Sequence, residues 1–284
     1  MLPRENLVIR AHEGPPPGSQ PVEVVERKGL GHPDTICDAV AERICVRLCR
    51  HYLDRFGTIL HHNVDKVLLC GGSSRASFGG GEIVGPMEIY LGGRATQKWE
   101  NQTIPVEEIA VDACKEILRE RLPELDLDQH VRITSRIRPG SADLTRLFGR
   151  GDGVPRANDT SCGTGFAPLT ELERVVLEVE HCLNNPETKR DHPAIGSDVK
   201  VMGVRRGDFI TLTIGCAFIG RHLSSVDEYV SEKQAVSTLV AKATANITRC
   251  HVEVALNAAD NIAASDVYLT VSGTSAEAGG TAAR

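Results

Sequence analysis

The run Glu26-Arg27-Lys28-Gly29-Leu30-Gly31-His32-Pro33-Asp34 sets two cations, a histidine and a carboxylate on a glycine-hinged turn ahead of an amphipathic segment. Such a turn can hold a polyphosphate. Unsatisfied N–H groups and the positive dipole end of a helix favour anions, and Asp34 could keep a divalent metal ion between itself and a phosphate. Pro33 suits the first helical position, apolar residues recur at Ile36, Val40, Ile44 and Leu48, and Gly57 ends the segment. Asp34 and Asp38, four apart, share one face of that helix. The spacing fits equally an ordinary capped helix with surface charges, because glycine-rich turns before helices are common.

Four further polar clusters could carry chemistry. His61-His62-Asn63-Val64-Asp65-Lys66 suggests zinc, but adjacent histidines on an extended segment face opposite ways, which disfavours a shared ion. Phe78-Gly79-Gly80-Gly81-Glu82 offers backbone that a ligand can approach, with Glu82 as acceptor for an amine or metal; a flexible hairpin loop is the alternative. In the acceptor-rich run at 157–165, Asp159 could bind ribose hydroxyls or an ammonium group, or simply close an Asx-turn. Gly196-Ser197-Asp198-Val199-Lys200 opens a strand whose alternation points Asp198 and Lys200 the same way, which suits a nucleotide or a surface ion pair. Cys45 and Cys49 lie one helical turn apart and could help hold a metal, although small buried side chains are the simpler reading.

These groups need elements to position them. Lys66 to Cys70 and Ile83 to Leu91 read as an antiparallel strand pair joined by a mobile glycine-rich loop, Gly71 to Gly81. Pro105 opens a helix to about Leu122, with Ile109, Ala113, Ile117 and Leu118 as its buried stripe. His130 to Arg138 alternates as a strand, with Arg132, Arg136 and Arg138 forming a basic edge that leads into Pro139-Gly140-Ser141-Ala142-Asp143. The polar stretch at 149–165 is the best boundary between structural units. Thr170 and Glu173 form a capping box with Leu169 as staple, opening a helix that Asn184-Asn185-Pro186 stops. Val199 to Val204 and Phe209 to Ile219 flank Arg205-Arg206-Gly207-Asp208 as a hairpin. A helix from Ser225 to about Arg249 and strands near Val252 to Leu256 and Val267 to Ser272 follow. The order predicts an α+β fold of mutually similar subdomains, divided into portions 1–150 and 151–284 with interleaved subdomains.

The 284 residues suffice for one large domain or a few small ones. A net charge of −6 and 4% aromatic residues exclude a general nucleic-acid binder, so any anion site must be local. Nine scattered cysteines without CxxC pairs predict reduced thiols in a cytoplasmic protein. The N-terminus has no apolar signal core, and Phe209 to Gly220, the longest strongly apolar run, is too short to span a bilayer, so no membrane partner is expected.

Taken in order, the motifs resemble the archaeal-type S-adenosylmethionine synthetases (methionine adenosyltransferases). The resemblance rests on the opening turn, on His61 to Lys66, on Phe78 to Glu82 and on Gly140-Ser141-Ala142-Asp143-Leu144. It continues through Asn158-Asp159-Thr160-Ser161 with Gly165-Phe166-Ala167-Pro168-Leu169, Asp198 to Gly203, Leu256 to Asp260 and Leu269 to Glu277. Each motif is weak alone; eight in sequence, from about Leu7 to Glu277, are specific.

The resemblance implies a fold of similar subdomains about a pseudo-threefold axis and a homodimer with active sites at the interface. It implies attack of the L-methionine sulfur on C5′ of ATP, expelling triphosphate that is then hydrolysed to pyrophosphate and phosphate. A thioether is already a neutral nucleophile and needs no general base, so catalysis should rest on alignment and on stabilising the leaving charge. By resemblance His32 contacts the triphosphate, Asp34 ligates Mg²⁺, Lys200 adds positive charge, and Asp198 holds the adenosine end. Glu82 and Asp159, with Thr160 and Ser161, belong to the substrate side, Gly140 to Leu144 is the nucleotide loop, Lys66 is a secondary contact, and K⁺ is a possible activator. Family members continue beyond the Gly-Thr-Ser-Ala-Glu motif into a further cation-bearing segment, so the expectation is of a chain lacking it. A catalytically impaired homologue that binds nucleotide or S-adenosylmethionine as a partner subunit is then the rival expectation.

Overall fold

The computed structural model of the chain describes residues 13–141, 165 and 167–277. Strand β1, Val22–Lys28, leads through the glycine turn into helix α1, Pro33–Phe56. The helix starts where Pro33 takes the first position and stops at Gly57, whose φ of 70° is the left-handed conformation that glycine tolerates best. Its stripe of Ile36, Val40, Ile44, Leu48 and Tyr52 is fully buried. Truncating one of these to alanine would cost about 2–5 kcal/mol, so α1 is held mainly by its inward face.

Strands β2 (His62–Cys70), β3 (Ser73–Ser77), β4 (Gly80–Gly85) and β5 (Met87–Ala95) follow. After the short pair β6 (Lys98–Trp99) and β7 (Gln102–Thr103) come α2 (Val106–Arg121), α3 (Leu127–His130) and β8 (Val131–Arg138). Strand β5 lies between β2, antiparallel to it, and β8, parallel to it; α1 and α2 complete this first core with Met87, Ile89, Leu91, Cys114 and Leu118.

The second core is built from α4 (Glu171–Asn184), α5 (Pro186–Asp191), β9 (Ile195–Arg206), β10 (Phe209–Ile219), α6 (Val226–Ala245), β11 (His251–Leu256) and β12 (Leu269–Thr270). Its sheet runs β1-β9-β10-β11, with β12 also pairing β10; the β1–β9 and β9–β10 pairs are antiparallel and β11 and β12 run parallel to β10. Val175, Val179, Tyr229, Val236 and Val240 from α4 and α6 pack on Val199, Val201, Leu212 and Ile214 of the sheet. The fold is α+β, as expected.

Several expectations need correction. The glycine-rich 71–81 stretch is not a free loop: it forms most of the β3–β4 hairpin, and Gly79 N–H reaches the carbonyls of Gly220 (3.0 Å) and Leu223 (2.7 Å). The strand expected over Ile83 to Leu91 is broken at Pro86, which brings no N–H to a ladder. The capping box forms in full, with Glu173 N–H on Thr170 Oγ1 at 3.1 Å and Thr170 N–H on Glu173 Oε2 at 2.7 Å. Leu169 is no staple, being 42% exposed, since the position it would meet one turn on is Arg174. The β9–β10 hairpin turns on Gly207 and Asp208 alone, with Gly207 at φ 56°, and α6 ends at Ala245, short of Arg249.

Candidate functional site

The opening turn is packed into place from three sides. Gly29 N–H bonds Val199 O at 2.6 Å and Gly31 N–H bonds Ser197 O at 2.9 Å, tying the turn to β9. A Cβ on Gly31 would lie 2.5 Å from the Ser197 carbonyl carbon and 2.7 Å from Asp198 N, and one on Gly29 would lie 2.7 Å from Val199 O. Arg121, at the end of α2, donates to the carbonyls of Leu30 (3.1 Å) and Thr35 (3.2 Å). From the far end of the chain, Thr274 Oγ1 donates to Gly31 O at 2.8 Å.

The expectation of unsatisfied amides is therefore corrected for the two glycines and Asp34. Gly29 and Gly31 spend their N–H groups on β9, Pro33 has none, and Asp34 N–H donates to Nδ1 of His32 at 3.2 Å. The glycines serve close approach, and the attraction for anions passes to side chains and the helix dipole. The cap also fixes the imidazole. With Nδ1 accepting, the neutral ring carries its proton on Nε2, which makes that atom a donor.

Around His32 stand charges of both signs. Lys28 pairs with Asp34, and this hydrogen bond holds the Asp34 carboxyl below the usual carboxylate range, with His32 and Lys200 acting in the same direction. Lys28 and Lys200 are register partners across β1 and β9, and Lys200 Nζ sits 3.0 Å from Glu26 Oε2. Asp198 is 5% exposed and accepts from Ser275 through its N–H (2.8 Å) and its hydroxyl (2.6 Å), while its own N–H bonds Gly273 O at 3.0 Å. Alternation puts Asp198 and Lys200 on one face as expected, but each has a different partner: Ser275 and Glu26.

The loop carrying Ser275 is itself organised by a buried acid. Glu277, 1% exposed, accepts from Val271 N–H, Ser272 N–H and Ser272 Oγ, each at 2.6 Å, and from Ser74 Oγ at 3.0 Å. Glu26, Lys200, Met202 and Thr213 from the open face of the sheet, with Ala258, Tyr268 and Ser275 from the 257–275 segment, line a cavity of about 550 Å³. Burial raises the Tyr268 phenol above its ordinary range, so it enters the cavity wall as a neutral hydroxyl.

Of the expected site residues, His32, Asp34, Asp198 and Lys200 are thus drawn together. Glu82 lies on β4, exposed, with Arg75 Nη1 at 2.8 Å; the hairpin borders the same 271–277 segment, since a Cβ on neighbouring Gly81 would meet Val271 at 2.9 Å. Lys66 pairs with Asp65 at 2.6 Å beside a second, shallow cavity shared with Tyr90 and Arg136. Gly140 and Ser141 follow the end of β8, where Arg94 Nη1 donates to Pro139 O at 3.1 Å. Ala142, Asp143, Leu144, Asp159, Thr160 and Ser161 lie outside the described residues. Glu26 and Lys28 enter the sequence reading only as part of the opening run, with no role of their own, and Ser275 and Glu277 only as part of the Leu269 to Glu277 motif; the signal for the last two is their place in the small, polar Ser272-Gly273-Thr274-Ser275-Ala276-Glu277 run.

A hard divalent ion fits at Asp34. Its carboxylate is an exposed oxygen donor of the kind that holds Mg²⁺ together with substrate oxygens; the Lys28 ammonium now paired with it would have to turn to the phosphate for the ion to bind.

The family model described as S-adenosylmethionine synthetase (AdoMet synthetase) matches residues 5–283. The protein named "Probable S-adenosylmethionine synthase" of Aquifex aeolicus (strain VF5) is 48% identical over 279 residues, covering 97% of this chain and 70% of that protein. The S-adenosylmethionine synthase of Methanothermobacter thermautotrophicus is 46% identical over 276 residues, and that of Pyrococcus furiosus 45% over 276 residues. Each of these two alignments covers 96% of this chain and 69% of the relative.

Proposed function

This chain belongs to the S-adenosylmethionine synthetase family, and from that premise we propose how its residues synthesise S-adenosylmethionine from ATP and L-methionine. The observation that carries the reading is the stitching of His32, Asp34, Asp198 and Lys200 into one locality by Gly31, Thr274 and Ser275.

The methionine sulfur forms a bond to C5′ of ATP as the C5′–O bond breaks, and the electron pair leaves on the triphosphate. No proton need be taken from the nucleophile, so the protein's work is to align sulfur, C5′ and oxygen and to stabilise the leaving charge. His32 Nε2–H donates to the departing oxygen, and Lys200 and Lys28 supply flanking positive charge. In comparable sites, removing one such donor costs about 2.7–4 kcal/mol of transition-state stabilisation. Asp198, fixed by Ser275, anchors the ribose and adenosine end. By the family resemblance Glu82 and Asp159 orient the methionine ammonium, Thr160 and Ser161 belong to the substrate-binding set, and Gly140 to Leu144 are the nucleotide loop; Lys66 is assigned no step. Mg²⁺, when bound at Asp34, would neutralise phosphate charge and polarise the leaving group. K⁺ is carried on the resemblance alone, with no residue assigned to it. The triphosphate is then hydrolysed to pyrophosphate and phosphate.

We place the active form as a homodimer in the cytoplasm. One face of the β1-β9-β10-β11 sheet packs on α4 and α6, while the other leaves Val22 and Val24 exposed next to the cavity-lining Glu26, Lys200 and Met202, a surface suited to a second copy. The eight cysteines among the described residues are unpaired, and no helix among those residues is long and apolar enough to cross a membrane. The division into portions 1–150 and 151–284 with interleaved subdomains, and the arrangement of similar subdomains about a pseudo-threefold axis, belong to the same proposal.

The test is chromatographic detection of S-adenosylmethionine and pyrophosphate from ATP, methionine and MgCl₂. His32→Ala should lower turnover at least about 100-fold. Equal turnover by wild type and His32→Ala would remove His32 from the mechanism, and no product from the wild type would overturn the assignment.

A further inference from the structure

Away from the cavity, two side chains of α1 and the first residue of β2 converge. Cys45 Sγ lies 3.3 Å and Cys49 Sγ 3.4 Å from Nε2 of His62, and the three candidate ligand atoms all lie within 4.8 Å of one another. We propose that Cys45, Cys49 and His62 form a binding site for a thiophilic divalent metal ion of the zinc class, separate from the Asp34 locality at the other end of α1.

Three features carry this. First, the distances suit a tetrahedral ion: with metal–sulfur bonds of about 2.3 Å and metal–nitrogen bonds of about 2.0–2.1 Å, each S···N edge is about 3.6 Å, a few tenths from what is seen. Second, the imidazole is set as a ligand. His62 Nδ1 is 2.9 Å from the Leu60 carbonyl, which can only accept, so Nδ1 holds the proton and Nε2 turns its lone pair to the sulfurs. The ring is also fixed against Tyr52, with centroids 5.6 Å apart. Third, two thiols meet a single nitrogen lone pair. One S–H···N bond would use that lone pair and leave the other thiol only the neighbouring sulfur, since Cys45 and Cys49 also hydrogen-bond to one another and sulfur is a weak acceptor.

All three side chains are half-buried, so an ion can enter from solvent, and water can take the fourth position. Two cysteines four apart on a helix with a histidine from a neighbouring strand is a donor set that selects zinc-class ions over Mg²⁺, which prefers oxygen. Binding replaces the two thiol protons with the ion and releases them to solvent. The ion would clamp the C-terminal half of α1 to the start of β2. The earlier objection to His61 and His62 sharing a metal still holds, because His62 acts without His61.

The test uses the full chain, reduced, anaerobic and in excess Mg²⁺, titrated with Co²⁺. One equivalent should produce a sulfur-to-cobalt charge-transfer band with intense tetrahedral d–d bands, discharged by one equivalent of Zn²⁺. Cys45→Ser and Cys49→Ser should each abolish the charge-transfer signature at that stoichiometry, and Cys182→Ser, on α4, should leave it unchanged. X-ray absorption of the zinc-loaded wild type gives a reading that does not depend on variants folding, and should find two sulfurs at about 2.3 Å with nitrogen or oxygen completing the shell. Absence of the band in the wild type, its persistence in the Cys45→Ser/Cys49→Ser double variant, or a zinc shell without sulfur would overturn the proposal.

Discussion

Replacing Gly31 by alanine tests whether the opening turn is held by β9. Gly31 has no positive φ, so alanine brings no backbone strain; its Cβ is the problem, 2.5–2.7 Å from the backbone of Ser197 and Asp198. Those are main-chain atoms of a central strand, and they cannot rotate away as a flexible side chain would. Overpacking of this kind costs about 1–3 kcal/mol. The shift also lengthens the Gly31–Ser197 and Thr274–Gly31 hydrogen bonds, worth about 1 kcal/mol each, while the stiffer unfolded chain returns about 0.4–1 kcal/mol. The net loss is about 2–5 kcal/mol, which for a chain of this size lowers Tm by about 3–8 °C. Because the displaced atoms include Asp198 N and the residues before His32, kcat/KM should fall at least about 100-fold even at a temperature where the variant is folded. Gly57→Ala, at the other end of α1, is the control. Its Cβ would meet nothing within 4 Å, and the only cost is alanine at φ 70°, about 1 kcal/mol, with activity retained. Differential scanning calorimetry and steady-state kinetics on both variants decide the matter. A Gly31→Ala protein as stable and active as Gly57→Ala would refute the idea that close approach to β9 builds the site.

Three further outcomes are expected. Glu277→Gln puts an amide where a carboxylate accepts four hydrogen bonds, and the resulting donor–donor clashes should cost about 3–5 kcal/mol and depress turnover; an unchanged urea midpoint would refute it. Glu82→Gln breaks only an exposed pair with Arg75, so Tm should hold while KM for methionine rises several-fold and KM for ATP does not; equal methionine KM values would remove Glu82 from that role. Lys189, its ammonium turned in to the carbonyls of Ile195 and Gly196, is pushed down to about 8 by burial. Between that value and the unfolded 10.5 the unfolded state keeps a proton that the folded state has lost, so this group's contribution to stability rises with pH across the window. The rise is at most about 3 kcal/mol, and Lys189→Met should flatten it in urea titrations.

What could be read in advance follows from where the information sits. Helix α1 carries its own start and stop in Pro33 and Gly57, and α4 opens with a capping box whose partners are three residues apart, so both were legible locally. The β9–β10 hairpin was legible for the same reason. Alternation gave Asp198 and Lys200 a common face but could not give partners: Ser275 is 77 positions from Asp198 and nothing near either residue encodes the pairing. The β3–β4 hairpin was hidden because Ser73-Ser74-Arg75-Ala76-Ser77 has no apolar alternation; its order comes from backbone bonds to Gly220, Leu223 and Ala276. Gly29 and Gly31 were legible as the hinge of a turn, but not as the close approach to β9 that their missing Cβ atoms permit.

The β1–β9 pairing bears on the order of events during synthesis. Strands β2, β5 and β8 with α1 and α2 draw their core almost wholly from the first half of the chain and can assemble while the ribosome is still at work. Strand β1 cannot, because its mate, β9, ends at Arg206, and the Thr274 hydroxyl that closes on Gly31 is 243 positions downstream. Strand β1, with Val22 and Val24 on its open face, therefore waits without its mate through most of translation, a long-range closure of the kind that folds slowly and exposes strand to intermolecular pairing. Chaperone demand and aggregation during expression should accordingly respond to substitutions in β1 more than to those in the earlier-formed β2–β5–β8 layer.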